Sequence, residues 1–185
     1  MIPRICIQNR ITDKEATPCS VEQLKAAMAK DEVQAICDQI KLLPTEGPYA
    51  SGGSPDKEEL SRLKKQLPVA IFHAQRFTNN ERKNQNAIPS GLAMLDIDDV
   101  EDPTAMFESF GMEKIKANAI YLAAITPSGH GLRLVFERTT IAEDNHRPET
   151  IAEAQSRVAH HLGLSSFDSS TKDLARASFL VPTSY

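Results

Sequence analysis

Three aspartates end an apolar stretch in SGLAMLDIDDV, residues 90–100. If this stretch is a β-strand, its side chains alternate between two faces, so Asp96 and Asp98 share one face and Asp99 does not. Two carboxylates at i and i+2 can hold one or two Mg²⁺ or Mn²⁺ ions through oxygen ligands. Two such ions, about 3.5–4 Å apart, support phosphoryl transfer. An acidic strand end that only meets solvent is the alternative, and this stretch alone leaves both open.

A glycine-rich turn, TPSGHG at residues 126–131, is the second feature that could do chemistry. Backbone N–H groups in such a turn can bind phosphate oxygens, and a plain hairpin turn is the alternative. His130 at its tip is a candidate ligand or base, although a single exposed histidine is usually neither.

Arg133 and Asp168 complete the candidate set. Arg133 alternates with an apolar series, so it can share a sheet face with Asp96 and Asp98; the series is Leu132, Leu134 and Phe136. Asp168 precedes the last predicted strand and could bring a third carboxylate to the same place. In this last segment Asp173 and Arg176 could instead pair locally.

Hydrophobic periodicity and cap signals predict the elements that position these residues. The chain is predicted to begin with a strand at 4–11, followed by one long or two short helices capped by Ser20 with Gln23. A linker-like stretch at 44–55 comes next, and then a helix that Ser54 caps and Pro55 begins. A strand at 69–72 and a polar loop at 73–90 follow. The rest predicts a strand at 91–98, a helix from Asp102 and Pro103 to Gly111, a hairpin of strands 119–125 and 132–138, a helix from Pro148 to Gly163 and a strand at 176–182.

The order β-α-β-β-α-β over about residues 91–185 predicts an α+β fold, an RRM/ferredoxin-like palm. Two helices would cover one face of a four-stranded antiparallel sheet and leave the other face open. The predicted organisation is a strand-helix α/β flank at 1–45, a linker-like segment at 46–56 and a core at 57–185. The strand-like ending suggests a fragment of a longer protein.

Composition excludes several classes of protein. The net charge is −4 and the pI about 5.7, so any nucleic-acid contact must come from local basic clusters. The three cysteines are odd in number and lack metal-ligand spacing, which favours free thiols over a zinc site or a disulfide framework. No apolar run approaches about 18 residues, so we expect a cytoplasmic protein without membrane contact.

Four segments together resemble the VirE amino-terminal-domain family. In chain order they are KKQLPVAIFHAQRF, LDIDD, TPSGHGLRLVF and FDSSTKDLARASFLVP. That family is similar to the primase-polymerase (prim-pol) branch of archaeo-eukaryotic primases. The likeness covers roughly residues 57–185, and 1–45 resemble the α/β flank that such cores carry. It implies the replication protein of a mobile element or phage, with a helicase-like module C-terminal to the domain.

The resemblance assigns roles residue by residue. Asp96, Asp98 and Asp168 match the ligands of a two-metal Mg²⁺ or Mn²⁺ site. The nucleotide-binding set is Ser128, Gly129, His130, Gly131, Arg133 and Arg176, and the candidate nucleic-acid contacts are Lys64, Lys65, Arg76, Arg82 and Lys83. Arg133 departs from the family, because active prim-pols usually have a histidine there. Arginine binds phosphate bidentately, so nucleotide binding survives the change more readily than catalysis does.

The resulting hypothesis is a primase/polymerase-type nucleotidyltransferase acting on a nucleoside triphosphate and a DNA template. Two alternatives stay open. A catalytically degenerate module could bind nucleic acid or a partner protein instead. A haloacid-dehalogenase-type phosphatase would also contain DIDDV, with its first aspartate as nucleophile, but it needs a downstream lysine and an acidic pair on a parallel sheet. The sequence leaves the oligomeric state open.

Overall fold

The structure is a computed structural model that describes residues 5–43, 55–141, 144 and 146–183. Nearly all of the predicted linker-like segment and the predicted Ser54 cap lie outside the described residues. The described residues form a mixed α+β fold, as predicted.

Eleven strands and six helices are assigned within the described residues. The strands are β1 (Ile5–Gln8), β2 (Thr17–Cys19), β3 (Val69–Ile71), β4 (Ala74–Phe77), β5 (Ala87–Pro89), β6 (Leu92–Asp98), β7 (Ile120–Ile125), β8 (Gly131–Glu137), β9 (Thr140–Ile141), β10 (Arg147–Pro148) and β11 (Ser178–Phe179). The helices are α1 (Val21–Met28), α2 (Asp31–Lys41), α3 (Pro55–Lys64), α4 (Pro103–Phe110), α5 (Met112–Ala117) and α6 (Ile151–Leu162). None of these helices is long and apolar enough to cross a membrane.

The central sheet is antiparallel, with the strand order β6-β8-β7. Its helix-facing side carries the alternating apolar residues that the sequence predicts for that face. They pack against the buried sides of α4, α5 and α6 in one core cluster, which includes Ala93, Leu95, Ile97, Leu132, Leu134, Phe136, Phe110, Ile115 and Val158. The hairpin of β7 and β8 and the helical cover of this face are therefore confirmed.

The opposite face of the central sheet is not open, which corrects the predicted palm. A second sheet, in the order β11-β3-β1-β2, contributes to a core over it. Met94 and Val135 from the central sheet pack there with Ile5, Ala70 and Leu180. Only the end of this face beyond Met94 presents the polar residues Asp96, Asp98 and Arg133.

The last strand also differs from the prediction, because β11 pairs with β3 instead of β6. Side chains and one loop amide occupy the edge of β6 where a fourth strand would bind. The backbone N–H of Met94 donates to Nε2 of His73 at 3.0 Å, and its carbonyl accepts from Nε2 of Gln155 at 2.8 Å. The backbone N–H of Asp168 donates to the Asp96 carbonyl at 2.8 Å. These contacts engage the Met94 N–H and carbonyl and the Asp96 carbonyl at this edge without a fourth strand.

Local signals predicted helix ends better than they predicted short strands. The capping box of Ser20 with Gln23, the Asp102 cap and the helix end at Gly163 are confirmed. Gly163 adopts the left-handed conformation. The polar loop at 73–90 was wrong in part, because β4 and β5 form a hairpin inside it. The helix predicted from Pro148 begins at Ile151, where Thr150 and Glu153 form a capping box.

Candidate active site

Asp96 and Arg133 form a nearly buried ion pair. The register of β6 and β8 places them directly opposite each other. Nε of Arg133 donates to Oδ1 of Asp96 at 2.8 Å, and Nη2 donates to Oδ2 at 2.7 Å. Nη1 donates to the Phe179 carbonyl at 3.2 Å, and both side chains are 11% exposed. Both Asp96 oxygens are therefore engaged by one guanidinium.

Asp98 lies at the exposed end of the same strand, opposite Gly131. Partial burial, with the negative charges of Asp96 and Asp168, raises the pKa of the Asp98 carboxyl above its usual value, and Arg133 opposes this effect. The Asp98 side chain is exposed, whereas Asp96 is buried and Asp168 is half-buried. Asp98 is thus the carboxylate of the three that is open to a new ligand.

Asp168 lies beside the first two aspartates, although it is far away in sequence. Its backbone N–H donates to the carbonyl of Asp96, as described above. Its carboxylate accepts from the backbone N–H of Ser170 at 2.8 Å and from the Ser170 hydroxyl at 3.0 Å. Within the described ranges, no group of three or more His, Cys, Asp or Glu side chains is arranged to hold a metal ion. The three carboxylates are neighbours whose oxygens largely have other partners.

The glycine-rich turn lies next to Asp98 and is closed by its own hydrogen bonds. The N–H of Thr126 donates to the Gly131 carbonyl, and the N–H of Gly129 donates to the Thr126 carbonyl, both at 2.8 Å. The Ser128 hydroxyl lies 3.3 Å from that of Thr126. The N–H of Val100 donates to the His130 carbonyl at 2.9 Å, which joins the turn to the acidic strand end. The Gly129 N–H is therefore engaged within the turn.

Gly131 is the turn position that tolerates no side chain. A Cβ atom there would lie 2.6 Å from Oγ1 of Thr126 and 3.2 Å from the Ile97 carbonyl. The glycine thus allows the turn to approach the strand that carries the aspartates.

Lys64 belongs to this site and not to a remote basic surface. Burial lowers the pKa of its ammonium; the charge of Asp98 raises it, and that of Arg133 lowers it further. The packing of α3 accounts for this placement, because Leu63 lies in one core cluster with Ala124 and Phe179. Ala124 is the β7 partner of Arg133 in the sheet register. Lys65, in contrast, is exposed.

Arg82 and Arg176, two other basic residues that the sequence indicated, hydrogen-bond to loop backbone. Nη2 of Arg82 donates to the Ile11 carbonyl at 2.8 Å and Nη1 to the Ala175 carbonyl at 3.3 Å. Arg176 donates to Oδ2 of Asp173 at 2.9 Å and to the Ser170 carbonyl at 2.7 Å, so it pairs locally. Arg82 and Arg176 therefore hold the segment that carries Asp168.

Arg76 and Lys83 are exposed instead. Lys83 lies 2.6 Å from the Glu81 carboxylate. These two side chains can reach a partner in solvent without breaking a buried contact.

The model of the BT4734-like, N-terminal domain family matches residues 62–182, more than half of the chain. The chain belongs to this family. BT4734-like N-terminal domains are associated with VirE-like proteins. No curated protein matches the chain significantly, and no solved structure does. The matched part of this BT4734-like domain contains all five site residues: Lys64, Asp96, Asp98, Arg133 and Asp168.

Sequence reasoning missed two buried residues that position this site in the BT4734-like domain. His73 is 1% exposed, and its Nδ1 lies 2.8 Å from the Asp173 carbonyl. Since its Nε2 accepts from Met94, the proton of the neutral ring resides on Nδ1. Gln155 joins Met94 to Thr171 through Nε2, which lies 3.0 Å from the Thr171 hydroxyl. Gln155 could have been found from the sequence, because it is a polar residue on the apolar stripe of α6. His73 could not, because it follows a strand and belongs to no periodic pattern.

Proposed function

We propose that this domain is a primase-polymerase-like nucleotidyltransferase core that adds nucleotides to a DNA-templated strand. The observation that carries the proposal is the contact between the Asp168 backbone and Asp96, which brings a third carboxylate to the Asp96/Asp98 strand end. The resemblance assigns the three aspartates to one metal site, and their proximity supports that assignment. The same resemblance supports a place in the replication protein of a mobile element, with DNA as partner.

Carboxylate oxygens are the donor type that Mg²⁺ and Mn²⁺ prefer, but the described side chains are not arranged to hold an ion in this structure. Asp96, Asp98 and Asp168 would hold the ions. Asp98 is open to a ligand, whereas Asp96 is bound to Arg133 and Asp168 to Ser170. The chemistry that such ions would supply there is Lewis-acid stabilisation of phosphoryl transfer. Occupancy of the full donor set requires the guanidinium to leave Asp96.

The cations around the carboxylates suit the polyphosphate of a nucleotide. Arg133 presents a planar fork of donors, and Lys64 supplies a point charge beside Asp98. Together they would orient the triphosphate near the glycine-rich turn. The exposed Arg76 and Lys83 are the basic residues best placed to meet the template, because neither is engaged in a buried contact.

A second candidate function is a nucleic-acid-binding or partner-binding module without catalysis. The bidentate Asp96–Arg133 pair favours it, because this pair has the geometry of a structural ion pair and engages a proposed metal ligand. The two candidates differ in whether the aspartates bind metal and support nucleotide incorporation.

Template-directed nucleotide incorporation with Mn²⁺ tests the proposal. Asp98→Asn removes an exposed carboxylate, so the fold should persist. If the transition state loses several kcal/mol of stabilisation from the metal, the rate of nucleotide incorporation should fall by at least about 100-fold. Asp99→Asn is the matched control, because Asp99 is exposed with φ of 62° and asparagine accepts that backbone. Wild-type protein that binds template DNA but incorporates nothing would favour the second candidate.

A further inference from the structure

In the described part of the chain, β7 is the outer strand of the central sheet, so one of its edges faces away from the sheet. The Thr126 N–H, directly after β7, donates to the first carbonyl of β8 at 2.8 Å. Backbone groups alternate in direction along a strand, so every second residue back from Thr126 also turns its N–H and C=O toward β8. Ala123 and Ile125 therefore direct their backbone groups outward.

The other edges of the two larger sheets carry features that prevent the addition of a strand. β11 has only two residues, β2 has three and contains Pro18, and the edge of β6 is engaged by the contacts described above. β7 is six residues long, and IYLAAI contains no charge, proline or glycine. Its pairing with β8 is regular from Leu122 to Ile125. Natural edge strands are usually short, charged or interrupted by proline, so β7 has the properties of a pairing surface.

Exposed apolar side chains lie at the same edge. Tyr121 on β7 is 59% exposed, and Met112 is 63% exposed on α5, the short helix that contacts β7. The Tyr121 hydroxyl donates to the Glu137 carboxylate at 2.6 Å, which orients the ring. Ala123 is exposed as well. Single exposed apolar residues are common on protein surfaces, but their position beside an outer strand favours a partner at this edge.

The charges at the two ends of this edge favour a second copy of the chain as that partner. The turn after β7 lies at the acidic end of β6, because Asp98 is the register partner of Gly131. The exposed acids at this end are Asp98, Asp99, Glu101 and Asp102. The other end of β7 follows α5, which carries the exposed Lys114 and Lys116. Two antiparallel copies would place the basic end of each beside the acidic end of the other, and symmetry repeats this contact twice.

We propose that β7 pairs antiparallel with β7 of a second copy about a two-fold axis at Ala124, which joins two three-stranded sheets into one of six strands. Ala123 of each copy then faces Ile125 of the other, and each pair exchanges two backbone hydrogen bonds. The small Ala124 side chains allow the close approach on the axis. A strand pair of this size buries less than the about 1,200 Å² of a stable interface, so the dimer is weak and concentration-dependent.

Sedimentation equilibrium over about 1 μM to 1 mM covers the range in which such small interfaces associate. The wild-type chain should change from monomer to dimer over this range. Ala123→Lys makes like charges diagonal neighbours across the axis, so it should weaken association by at least about tenfold. Its fold should persist by circular dichroism, because Ala123 is exposed. Ala152→Lys, at an exposed position of α6, is the matched control and should leave association unchanged.

A charge-swap experiment tests the two-fold symmetry of the pairing. Ala123→Glu alone should weaken association as Ala123→Lys does, since it also repeats one charge across the axis. An equal mixture of the two variants should recover association as a heterodimer, because opposite charges then meet.

Amide hydrogen exchange tests the pairing without any substitution. In the wild type, the amides of Ala123 and Ile125 should exchange with solvent more slowly as the protein concentration rises. The Thr126 amide, which is already bonded to β8, should not change.

A wild-type chain that stays monomeric up to about 1 mM would overturn the proposal and leave this edge to a strand of another protein. A dimer that both Ala123 variants leave unweakened, or a mixture that does not recover association, would refute the pairing through β7. The pairing residues are none of those assigned to metal or nucleotide in the proposed function, so the two proposals fail separately. Nucleotide incorporation by a monomer removes only the dimer, and a dimer without incorporation removes only the proposed function.

Discussion

His73 should contribute measurably to stability, because it satisfies a buried backbone group of β6. Replacement by asparagine keeps a donor near the Nδ1 position for the Asp173 carbonyl but removes the acceptor for the Met94 N–H. Met94 is 1% exposed, so this amide loses its partner away from water. An unsatisfied buried donor costs about 1–3 kcal/mol, and we expect the free energy of unfolding to fall by that amount.

Glutamine at position 73 provides the complementary change, since its amide oxygen can reach the Nε2 position. His73→Gln therefore keeps the Met94 contact and loses the contact with Asp173. Asp173 is only half-buried, so water can replace the lost donor and the cost should be smaller. Urea denaturation at pH 7.5, followed by circular dichroism, gives the midpoint and slope that separate the two variants.

The stability difference between wild type and His73→Asn, measured as a function of pH, tests whether the His73 ring is neutral in the folded protein. Burial lowers the pKa of His73 below its usual 6.5, more than Asp173 and Asp96 raise it, while Arg138 lowers it further. As pH falls through 6.5 the unfolded chain binds a proton that the folded protein does not. The His73 contribution to the free energy of unfolding then decreases by at most about 1.4 kcal/mol per pH unit.

Wild type and His73→Asn should therefore approach each other in stability between pH 7.5 and pH 5.5. A His73→Asn variant within about 0.5 kcal/mol of wild type at pH 7.5 would refute the role of the buried contact. A stability difference that stays constant with pH would refute the neutral ring.

Three further changes test the account elsewhere in the fold. Gly131→Ala should cost about 1–3 kcal/mol by urea denaturation, because its Cβ meets Thr126; adding Thr126→Ala should recover part of the loss. Thr150→Ala removes the cap of α6 and should lower the free energy of unfolding by about 0.5–2 kcal/mol in the same assay. Glu149→Gln leaves Arg157 without its carboxylate and should cost about 3–5 kcal/mol, with Arg157→Gln as the reciprocal variant.

Strand parity predicted the relative placement of the site residues well. Alternation alone puts Asp96, Asp98 and Arg133 on one face, and the register confirms that they share it. Parity says nothing about what fills the space between a carboxylate and an arginine on the facing strand. The bidentate contact depends on the distance between β6 and β8 and on burial by the second sheet, and neither is encoded locally.

The pairing of the last strand could not be predicted for a related reason. A short apolar segment such as β11 fits several sheet edges equally well, and the choice depends on which edges are already satisfied. The edge of β6 is closed by His73, Gln155 and the Asp168 amide, which come from three distant parts of the chain. The hairpin of β4 and β5 was missed because its residues lack alternation, while Phe77 is buried in a separate core cluster.

The central claim is that the three aspartates form a metal site for nucleotidyl transfer. Crystals of the protein soaked with Mn²⁺ and a non-hydrolysable nucleoside triphosphate test it most directly, by anomalous diffraction at the manganese edge. We expect an anomalous peak between Asp96, Asp98 and Asp168, with the Arg133 guanidinium on the triphosphate. Arg133 still bound to Asp96, with no anomalous peak at saturating Mn²⁺, would contradict the claim.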